Sequence, residues 1–491
     1  MNFHRNYPRL IFSTALILGF ACLLSLYPRF RFETFSWSGA DALEYNFLAD
    51  NLAQGHGFSL RISAPYVPSA ARMPGYPAII ALSKIIFHGI IPVIIVQMAA
   101  YGAGAVLAYK IARMFLSERM SAVAGFLVVF HPYILFMAMS LMTETFFIAS
   151  IMASVYFLLR YFQEHAIKQA IFSTLLLGFA ALLRPTPLYM ITIWVAMVAW
   201  DGWNRNERWK KIGLRACLVV LIFVAILVPW MVRNKIEFGR WGFVSANSFG
   251  FYAATSVYLT ALHEHIPHQE ARVRLQNKFE TTFKDELAAD TNYPDFAYKG
   301  YDEFEYGDWF AARSSAIIKD NLGLFAREIM TSIPDFLTKD LWLHPFEKYD
   351  ILHPANQPLT PLRRVWSEQG MGGLTREVLA RFSCGSSCVF SFGIAALGRI
   401  FYLLLSVFGF VGLYFMIRSR EHLARSAGLL FSLIILYFAA AHLILTSMAG
   451  HERYRLPIVP LMIVSALSGL SGLGRRTRGF IPEGKSDILY P

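Results

Sequence analysis

Residues 212–231 read IGLRACLVVLIFVAILVPWM, and Arg215 is the only charged side chain in this run. A helix that crosses the hydrocarbon core of a bilayer needs about 20 mostly apolar residues, so the run is long enough to span a membrane. Comparable runs recur along the whole chain. They predict an all-α polytopic membrane protein.

About ten segments meet this criterion for a membrane-spanning helix, and several of them are short. They are residues 10–27, 91–112, 121–140, 145–161, 169–184, 187–201, 212–231, 395–416, 426–447 and 456–473. The apolar stretch 75–89 is brief and contains Lys84, which favours an interfacial or re-entrant helix. The first run follows a basic start but lacks a small-x-small cleavage pattern, so we interpret it as an uncleaved span.

The composition of the chain agrees with a membrane protein. Of the 491 residues, 56% are hydrophobic and only 16% are charged, which is too little charge to cover a soluble protein. The formal net charge is +12, but the Lys and Arg residues lie in short segments between apolar runs. That distribution is typical of topology determinants and excludes a groove for nucleic acid.

The basic segments predict how the chain is threaded through the membrane. The positive-inside rule places five short segments in the cytoplasm: 113–119, 160–168, 205–215, 418–425 and 475–478. Alternation of the spans then places two long segments, 28–90 and 232–394, on the outer face of the cell (inner) membrane. Both termini are predicted to be cytoplasmic.

This threading divides the chain into four parts. Residues 1–231 form a transmembrane core that includes the first outer loop 28–90, residues 232–394 an extracytoplasmic region, residues 395–474 the C-terminal transmembrane helices, and residues 475–491 a cytoplasmic tail.

The outer segments are predicted to contain juxtamembrane helices. Residues 41–54 form one that ends at Gly55 and Gly57. An amphipathic helix at the membrane surface is predicted by apolar residues at helical spacing, namely Ile318, Leu322, Phe325 and Ile329.

Two of the four cysteines, Cys384 and Cys388, lie in a segment that we place outside. A disulfide would persist there, although two free thiols fit the spacing as well.

Short polar stretches at the predicted outer face carry the candidate chemistry. The first is Ser38-Gly-Ala-Asp41-Ala-Leu-Glu44-Tyr45. A carboxylate held near the bilayer surface can act as a general base toward a hydroxyl group. Ser38 and Asp41 also have the spacing of a capping box, so Asp41 is either a catalytic base or a helix cap.

A second stretch is Arg72-Met-Pro-Gly-Tyr-Pro77. An arginine at the edge of an apolar helix can bind a phosphate whose lipid tail stays in the bilayer. Lys84, further along the same apolar stretch, is a second candidate for phosphate binding. Interfacial anchoring of both side chains is the alternative.

An acid in apolar sequence surroundings and an arginine at the predicted outer face form the next two candidates. Glu144 is the only acidic residue between Arg119 and Arg160, and ionisable groups in such apolar surroundings are usually functional. The alternative is that Thr143 and Glu144 cap a helix. Arg184 is followed by Pro185 and either binds a phosphate, pairs with a carboxylate or marks a structural corner.

The last candidate stretch joins the final two predicted spans. It places two arginines outside, against the topology rule, and an anionic ligand would compensate for their charge. A salt-bridged loop is the alternative. Its candidate site residues are His451, Arg453, Tyr454 and Arg455.

Taken in order, these stretches resemble the GT-C glycosyltransferases, specifically the branch around the protein O-mannosyltransferases and the lipid A aminoarabinose transferase (glycosyltransferase family 39 type). The matching elements are Gly39–Tyr45, Gly55–Gly57, Pro74–Pro77, Thr143-Glu144, Leu183–Pro185, Pro229–Asn234 and Glu452–Pro457. The resemblance implies a GT-C fold with catalysis at the outer face. It implies that Asp41 is the essential first-loop acid and Tyr45 the family tyrosine, that Glu144 is the second acidic position, and that Arg72 lies near a basic position that contacts the carrier phosphate.

The resemblance and the placement of these residues together lead to a hypothesis for the reaction. A hexosyl or pentosyl group would pass, with inversion, from a polyprenyl-phosphate donor to a hydroxyl of a lipid, glycan or protein. We expect Asp41 to be the base and Glu144 to position the acceptor or support Asp41, while Arg72, Arg453, Arg455 and Lys84 would bind the donor phosphate. Supporting roles fall to Glu44, Tyr45, Arg184, Tyr454 and His451. Some relatives use a divalent metal ion, but the sequence contains no visible ligand set for one.

Two other function classes share the outward-facing arginines. A transporter or flippase for lipid-linked sugars would have charges deep in several helices and an internal repeat, and we find no repeat. A glycan polymerase or ligase with diphosphate-linked donors is also polytopic, but the acidic first loop fits it less well.

Overall fold

The structure is a computed structural model that describes ten stretches of the chain. They are residues 6–26, 40–245, 252–282, 303–339, 342–343, 345, 370–373, 375–376, 386–445 and 452–477. All regular structure in these stretches is helical. This confirms the predicted all-α class.

Seventeen helices follow one another along the described chain. They are α1 (Tyr7–Leu26), α2 (Ala40–Ala53), α3 (Gly75–Phe87), α4 (Ile91–Ala112), α5 (Glu118–Val129), α6 (Pro132–Met139), α7 (Glu144–Glu164), α8 (Ile167–Leu183), α9 (Ile191–Asn204), α10 (Trp209–Phe238), α11 (Val257–His263), α12 (His268–Thr282), α13 (Glu303–Asp320), α14 (Leu322–Thr338), α15 (Ser386–Ile417), α16 (His422–Leu445) and α17 (Val459–Thr477). Short 3-10 turns lie at Thr186–Leu188 and Glu452–Ile458.

Seven of the helices are long and apolar enough to cross a membrane, or eight if α5 and α6 form one bent span. The chain is therefore a multi-pass membrane protein, but the predicted count of ten or more spans is not confirmed. The axes of α5 and α6 meet at 54°. The break lies at His131-Pro132, where the proline cannot donate a backbone hydrogen bond and its ring clashes with the preceding turn.

The short apolar helix α3 agrees with the prediction that residues 75–89 do not form a full span, since it has only 13 residues. The helix predicted at 41–54 is present as α2. Gly55 and Gly57 follow it with φ angles of 79° and 81°, a left-handed conformation that favours glycine.

The predicted amphipathic helix is present in part. Asn321 interrupts it with φ −128°, and the Asn321 amide group donates to the Ile317 carbonyl at 2.8 Å. Ile318 therefore belongs to α13, while Leu322, Phe325 and Ile329 belong to α14.

Helix α7 runs through the centre of the bundle, with 72% of its apolar stretch buried. Its 21 residues make it about 30 Å long, so its two ends lie on opposite sides of the bundle. At its C-terminal end, Arg205 donates to the Phe162 carbonyl and Arg215 to the Tyr161 hydroxyl. The segments 160–168 and 205–215, both predicted to be cytoplasmic, thus meet at one end of α7. The candidate site lies at its other end.

Candidate active site

Asp41 lies at the centre of an ion-pair cluster formed by distant parts of the chain. Its Oδ1 is 2.6 Å from a terminal nitrogen of Arg72, and its Oδ2 is 2.6 Å from a terminal nitrogen of Arg453. Asp41 and Arg453 are 412 residues apart in sequence. The first outer loop and the final hairpin therefore meet on the same side of the bundle. Ser38, the other half of the predicted capping pair, lies outside the described residues.

Arg72 binds a second carboxylate of the same helix. Its Nε is 2.5 Å from Oε2 of Glu44, which follows Asp41 by one helical turn. The guanidinium group also lies 5.5 Å from the centroid of the Tyr45 ring. The spacing of Asp41 and Glu44 on α2 therefore allows one arginine to engage both acids.

The surroundings of the two acids set their charge in different ways. Burial raises the pKa of Asp41, but the charges of Arg72 and Arg453 outweigh it and hold this pKa well below its ordinary value. Burial also raises the pKa of Glu44, and the single ion pair with Arg72 does not cancel the rise. Burial lowers the pKa of Arg72, whereas Glu44 and Asp41 raise it by more. Asp41 and Arg72 are therefore both charged at neutral pH.

A second ion pair lies next to the first cluster. Arg184, at the end of α8, is 3.1 Å from Oε1 of Glu144, the first residue of α7. Glu144 is fully buried, and a buried carboxylate is costly unless it is paired. Thr143 makes no capping hydrogen bond with its side chain, but Glu144 lies in the first turn of α7, so only the dipole part of the helix-cap alternative agrees with the structure.

The Tyr454 ring joins the two ion pairs. The Arg184 guanidinium lies 5.5 Å from its centroid and that of Arg453 lies 5.4 Å from it. Such cation–π contacts fix the orientation of both arginines. The candidate site thus contains three arginines and three acids, in two groups that share one aromatic ring.

Two predicted phosphate ligands, Arg455 and Lys84, are not in this cluster. Arg455 is only 2% exposed, donates to the backbone carbonyls of Phe336 and Lys339, and lies 3.9 Å from the Tyr402 ring centroid. It therefore anchors the end of α14 instead of facing Asp41. His451 lies outside the described residues, as does Cys384.

Lys84 is also placed apart from the cluster. It is engaged with Asp50 and Asn46 on α2, at 2.5 and 2.8 Å. Asp50 follows Asp41 by nine residues, which is about 13 Å along a helix. The structure therefore does not place Lys84 beside Arg72.

The loop that carries Arg72 is held by residues that sequence patterns indicated weakly or not at all. Arg233, in the Pro229–Asn234 motif, donates to the Ser69 carbonyl at 2.7 Å. Glu303 accepts hydrogen bonds from the same loop, and its sequence surroundings contain no signal that would have identified it.

Within the described ranges, no group of three or more His, Cys, Asp or Glu side chains is arranged to hold a metal ion.

Comparison with known proteins gives one family match and several structural likenesses. Residues 68–231 match the family model described as dolichyl-phosphate-mannose-protein mannosyltransferase. The matched segment contains Arg72, Glu144 and Arg184, so the resemblance to the GT-C glycosyltransferases is confirmed over this part of the chain. No curated protein sequence gives a significant match.

Solved structures similar to this chain include oligosaccharyltransferases of Archaeoglobus fulgidus. The apo form is 13% identical, with 96% of this chain and 51% of that chain covered and a TM-score of 0.49. The oligosaccharyltransferase AglB in complex with an inhibitory peptide and a dolichol-phosphate is 12% identical, with 99% and 53% covered and a TM-score of 0.46. This chain spans about half the length of these proteins.

Proposed function

We propose that this protein transfers a sugar from a polyprenyl-phosphate donor to a hydroxyl acceptor at the outer face of the membrane, with inversion at the anomeric carbon. The observation that carries the proposal is the carboxylate of Asp41, held between the guanidinium groups of Arg72 and Arg453. An acid that can accept a proton and two cations that can bind a phosphate thus meet at one point. The positive-inside rule supports the outer location.

The accessible arginines are the donor-binding groups. The side chains of Arg72 and Arg453 are 24% and 21% exposed, whereas Glu144 is fully buried. A guanidinium group matches the geometry of phosphate oxygens and forms paired, charge-assisted hydrogen bonds with them. The isoprenoid tail would remain in the bilayer beside the bundle.

Donor binding changes the state of Asp41. In the structure both of its oxygens are occupied by arginine, and a carboxylate held in this way is a weak base. The donor phosphate competes for the same two guanidinium groups and brings negative charge close to Asp41. Both effects raise the pKa of Asp41, so the base becomes effective when the donor is in place.

The reaction then proceeds in one displacement. The acceptor oxygen attacks the anomeric carbon from the face opposite the phosphate, and its proton passes to Asp41. The bond between the anomeric carbon and the phosphate oxygen breaks, and polyprenyl phosphate leaves with the electron pair. Arg72 and Arg453 stabilise the charge that develops on it.

The remaining cluster residues support these groups. Glu144 keeps Arg184 in place, Tyr454 separates Arg184 from Arg453, and Glu44 and Tyr45 orient Arg72. The region 232–394 would cover the site and contribute to the choice of a lipid, glycan or protein acceptor. Polyprenyl-phosphate mannose is the first donor to test, because mannose is the sugar named in the matching family.

The test uses purified protein in proteoliposomes with polyprenyl-phosphate mannose, scored by release of free polyprenyl phosphate in the presence of an acceptor extract. We expect Asp41→Asn to reduce release by about 10²- to 10⁴-fold, because the general base is lost. Asp50→Asn is the matched control: it lies on the same helix and pairs with Lys84, outside the cluster. Release by Asp41→Asn at the wild-type rate contradicts the assignment of the base.

The same preparation separates transfer from transport. A transferase releases free polyprenyl phosphate, whereas a flippase moves labelled donor across the bilayer without cleaving it.

A further inference from the structure

One buried carboxylate outside the ion-pair cluster has no part in the proposed chemistry. Glu303 is the first residue of α13 and is 1% exposed. It accepts hydrogen bonds from the Ser69 hydroxyl at 2.7 Å, the Ala70 amide at 2.6 Å and the Ser245 hydroxyl at 2.9 Å. Both of its oxygens are therefore engaged, which offsets the cost of burying the charge.

Two of the three donors to Glu303, Ser69 and Ala70, belong to the loop that ends in Arg72. Ser69 and Ala70 precede Arg72 by three and two residues. The Ser69 hydroxyl, which donates to Glu303, also accepts from the Ala71 amide at 3.1 Å. Glu303 thus fixes the amides of Ala70 and Ala71, one directly and one through Ser69.

The opposite side of this loop is held as well. Arg233 donates to the Ser69 carbonyl at 2.7 Å, and the Ser245 amide donates to the Ala70 carbonyl at 2.9 Å. The Ser69 amide donates to the Phe58 carbonyl at 2.7 Å. Every backbone polar group from the Ser69 amide to the Ala71 amide therefore has a hydrogen-bond partner. The backbone immediately before Arg72 is thus held in one conformation.

The start of α13 packs closely against the backbone at Gly242 and Ser245. A Cβ atom added at Gly307 would lie 3.0 Å from the Ser245 carbonyl oxygen, and one added at Gly242 would lie 2.5 Å from the Phe304 ring. Only glycine permits these approaches without displacement. Tyr306 and Phe310 of this helix belong to a separate small apolar cluster, which also contains Tyr252 and Leu275.

We infer that Glu303 is a positioning residue that connects the predicted extracytoplasmic region 232–394 to the donor site. It orients the backbone from which Arg72 reaches the phosphate. The inference rests on the proposed function of Arg72. It assigns to α13 a role in donor binding that neither the sequence motifs nor the ion-pair cluster indicates.

The experiment measures binding of farnesyl phosphate to the purified full-length protein in detergent micelles. In Glu303→Gln the negative charge is lost and an amide nitrogen replaces one of the two acceptor oxygens, so the hydrogen bonds that hold the loop are weakened. We expect binding about 10- to 100-fold weaker, as for loss of a hydrogen bond to a charged group. Glu303→Asp, which keeps the charge and both oxygens, should recover part of the affinity.

Three further variants distinguish a positioning role of Glu303 from a general loosening of the structure. In an Arg72→Ala background, which lacks the oriented group, Glu303→Gln should cause no further loss of affinity. Glu305→Gln, at an exposed position of the same helix, is the matched control and should bind as wild type. Ser69→Ala removes one donor with little volume change and should weaken binding even if Glu303→Gln does not fold.

Wild-type affinity of Glu303→Gln for farnesyl phosphate overturns the inference. If Glu303→Gln does not fold, wild-type affinity of Ser69→Ala overturns it instead. The inference is also overturned if Glu303→Gln weakens binding equally in the wild-type and Arg72→Ala backgrounds. In those outcomes, weak binding by Arg72→Ala alone still supports the donor site. Failure of the wild-type protein to bind farnesyl phosphate overturns the donor site and the inference together.

Discussion

At the scale of single residues, the protonation of Asp41 depends on the few charged side chains that pair with it. Asp41 has one arginine for each oxygen, while Arg72 has one carboxylate at each of two nitrogens. Burial alone would raise the pKa of Asp41, and the arginines reverse that effect. The acid–base behaviour of Asp41 is therefore set by its neighbours and should respond to their removal.

The first prediction concerns Arg453→Gln. Removing this guanidinium group raises the pKa of Asp41, so a higher pH is needed to ionise the base. The acid limb of kcat/KM, which reports the free enzyme, should move to higher pH by about 1 to 3 pH units. The measurement is the pH dependence of kcat/KM for sugar transfer. Arg327→Gln, at an exposed arginine of α14, is the control and should leave the profile unchanged.

An acid limb that stays in place in Arg453→Gln would show that Asp41 does not titrate in the free enzyme as its ion pairs imply. A fall in kcat/KM at all pH values is expected in addition, because Arg453 is also a proposed ligand of the donor phosphate.

At the scale of helices, small residues allow the spans to approach closely where the final hairpin must be held. Helices α15 and α17 cross at Gly412 and Gly469. A Cβ atom added at Gly412 would lie 1.8 Å from the Ser465 carbonyl oxygen, and one added at Gly469 would lie 2.3 Å from the Phe408 carbonyl oxygen. Helix association in membranes commonly uses such small-residue contacts. Because α17 follows the turn that carries Arg453, this crossing also positions the site.

The second prediction concerns Gly412→Ala. The added methyl group has no space, and overpacking of this kind costs about 1–3 kcal/mol. Thermal unfolding of the purified protein in detergent should begin at a lower temperature. Gly393→Ala is the matched control on the same helix, since a Cβ atom there meets nothing within 4 Å. Equal unfolding temperatures for Gly412→Ala and the wild-type protein would mean that the two helices do not cross this closely.

At the scale of the whole molecule, the bundle has two chemically different ends. At one end the basic segments 160–168 and 205–215 meet, through the contacts of Arg205 and Arg215 with the last turns of α7. The other end gathers the ion-pair cluster, to which the first outer loop and the final hairpin contribute. The positive-inside rule assigns the basic end to the cytoplasm, so the cluster is predicted to face outward.

The third prediction concerns this orientation. In a background with the four cysteines replaced by serine, single cysteines are introduced at Ile62 in the first outer loop and at Lys211 near the start of α10. Both positions are exposed, at 61% for Ile62 and 57% for the Lys211 side chain. A membrane-impermeant maleimide added to intact cells should label Ile62→Cys and not Lys211→Cys. Both should be labelled after the membrane is opened, and the reverse pattern in intact cells would invert the topology.

The sequence determined the features that depend on local composition. Apolar runs of sufficient length specify membrane helices wherever they occur, because the bilayer excludes unpaired backbone groups and charges. The all-α class, the helix α2, the short α3 and the set of acids and arginines at one face therefore follow from residues near one another in sequence. The motif order around Arg72, Glu144 and Arg184 also identified the resemblance that the family match over 68–231 confirms for that segment.

Only the tertiary structure decided which charged residues meet. Arg453 and Arg455 are two residues apart in similar surroundings, yet the first binds Asp41 and the second holds the carbonyls at the end of α14. The bend between α5 and α6 and the role of Glu303 are likewise absent from local patterns. The physical reason is that an ion pair or a buried hydrogen bond depends on distance and direction in space. Those are fixed by how helices hundreds of residues apart pack, whereas hydropathy is a property of each segment alone.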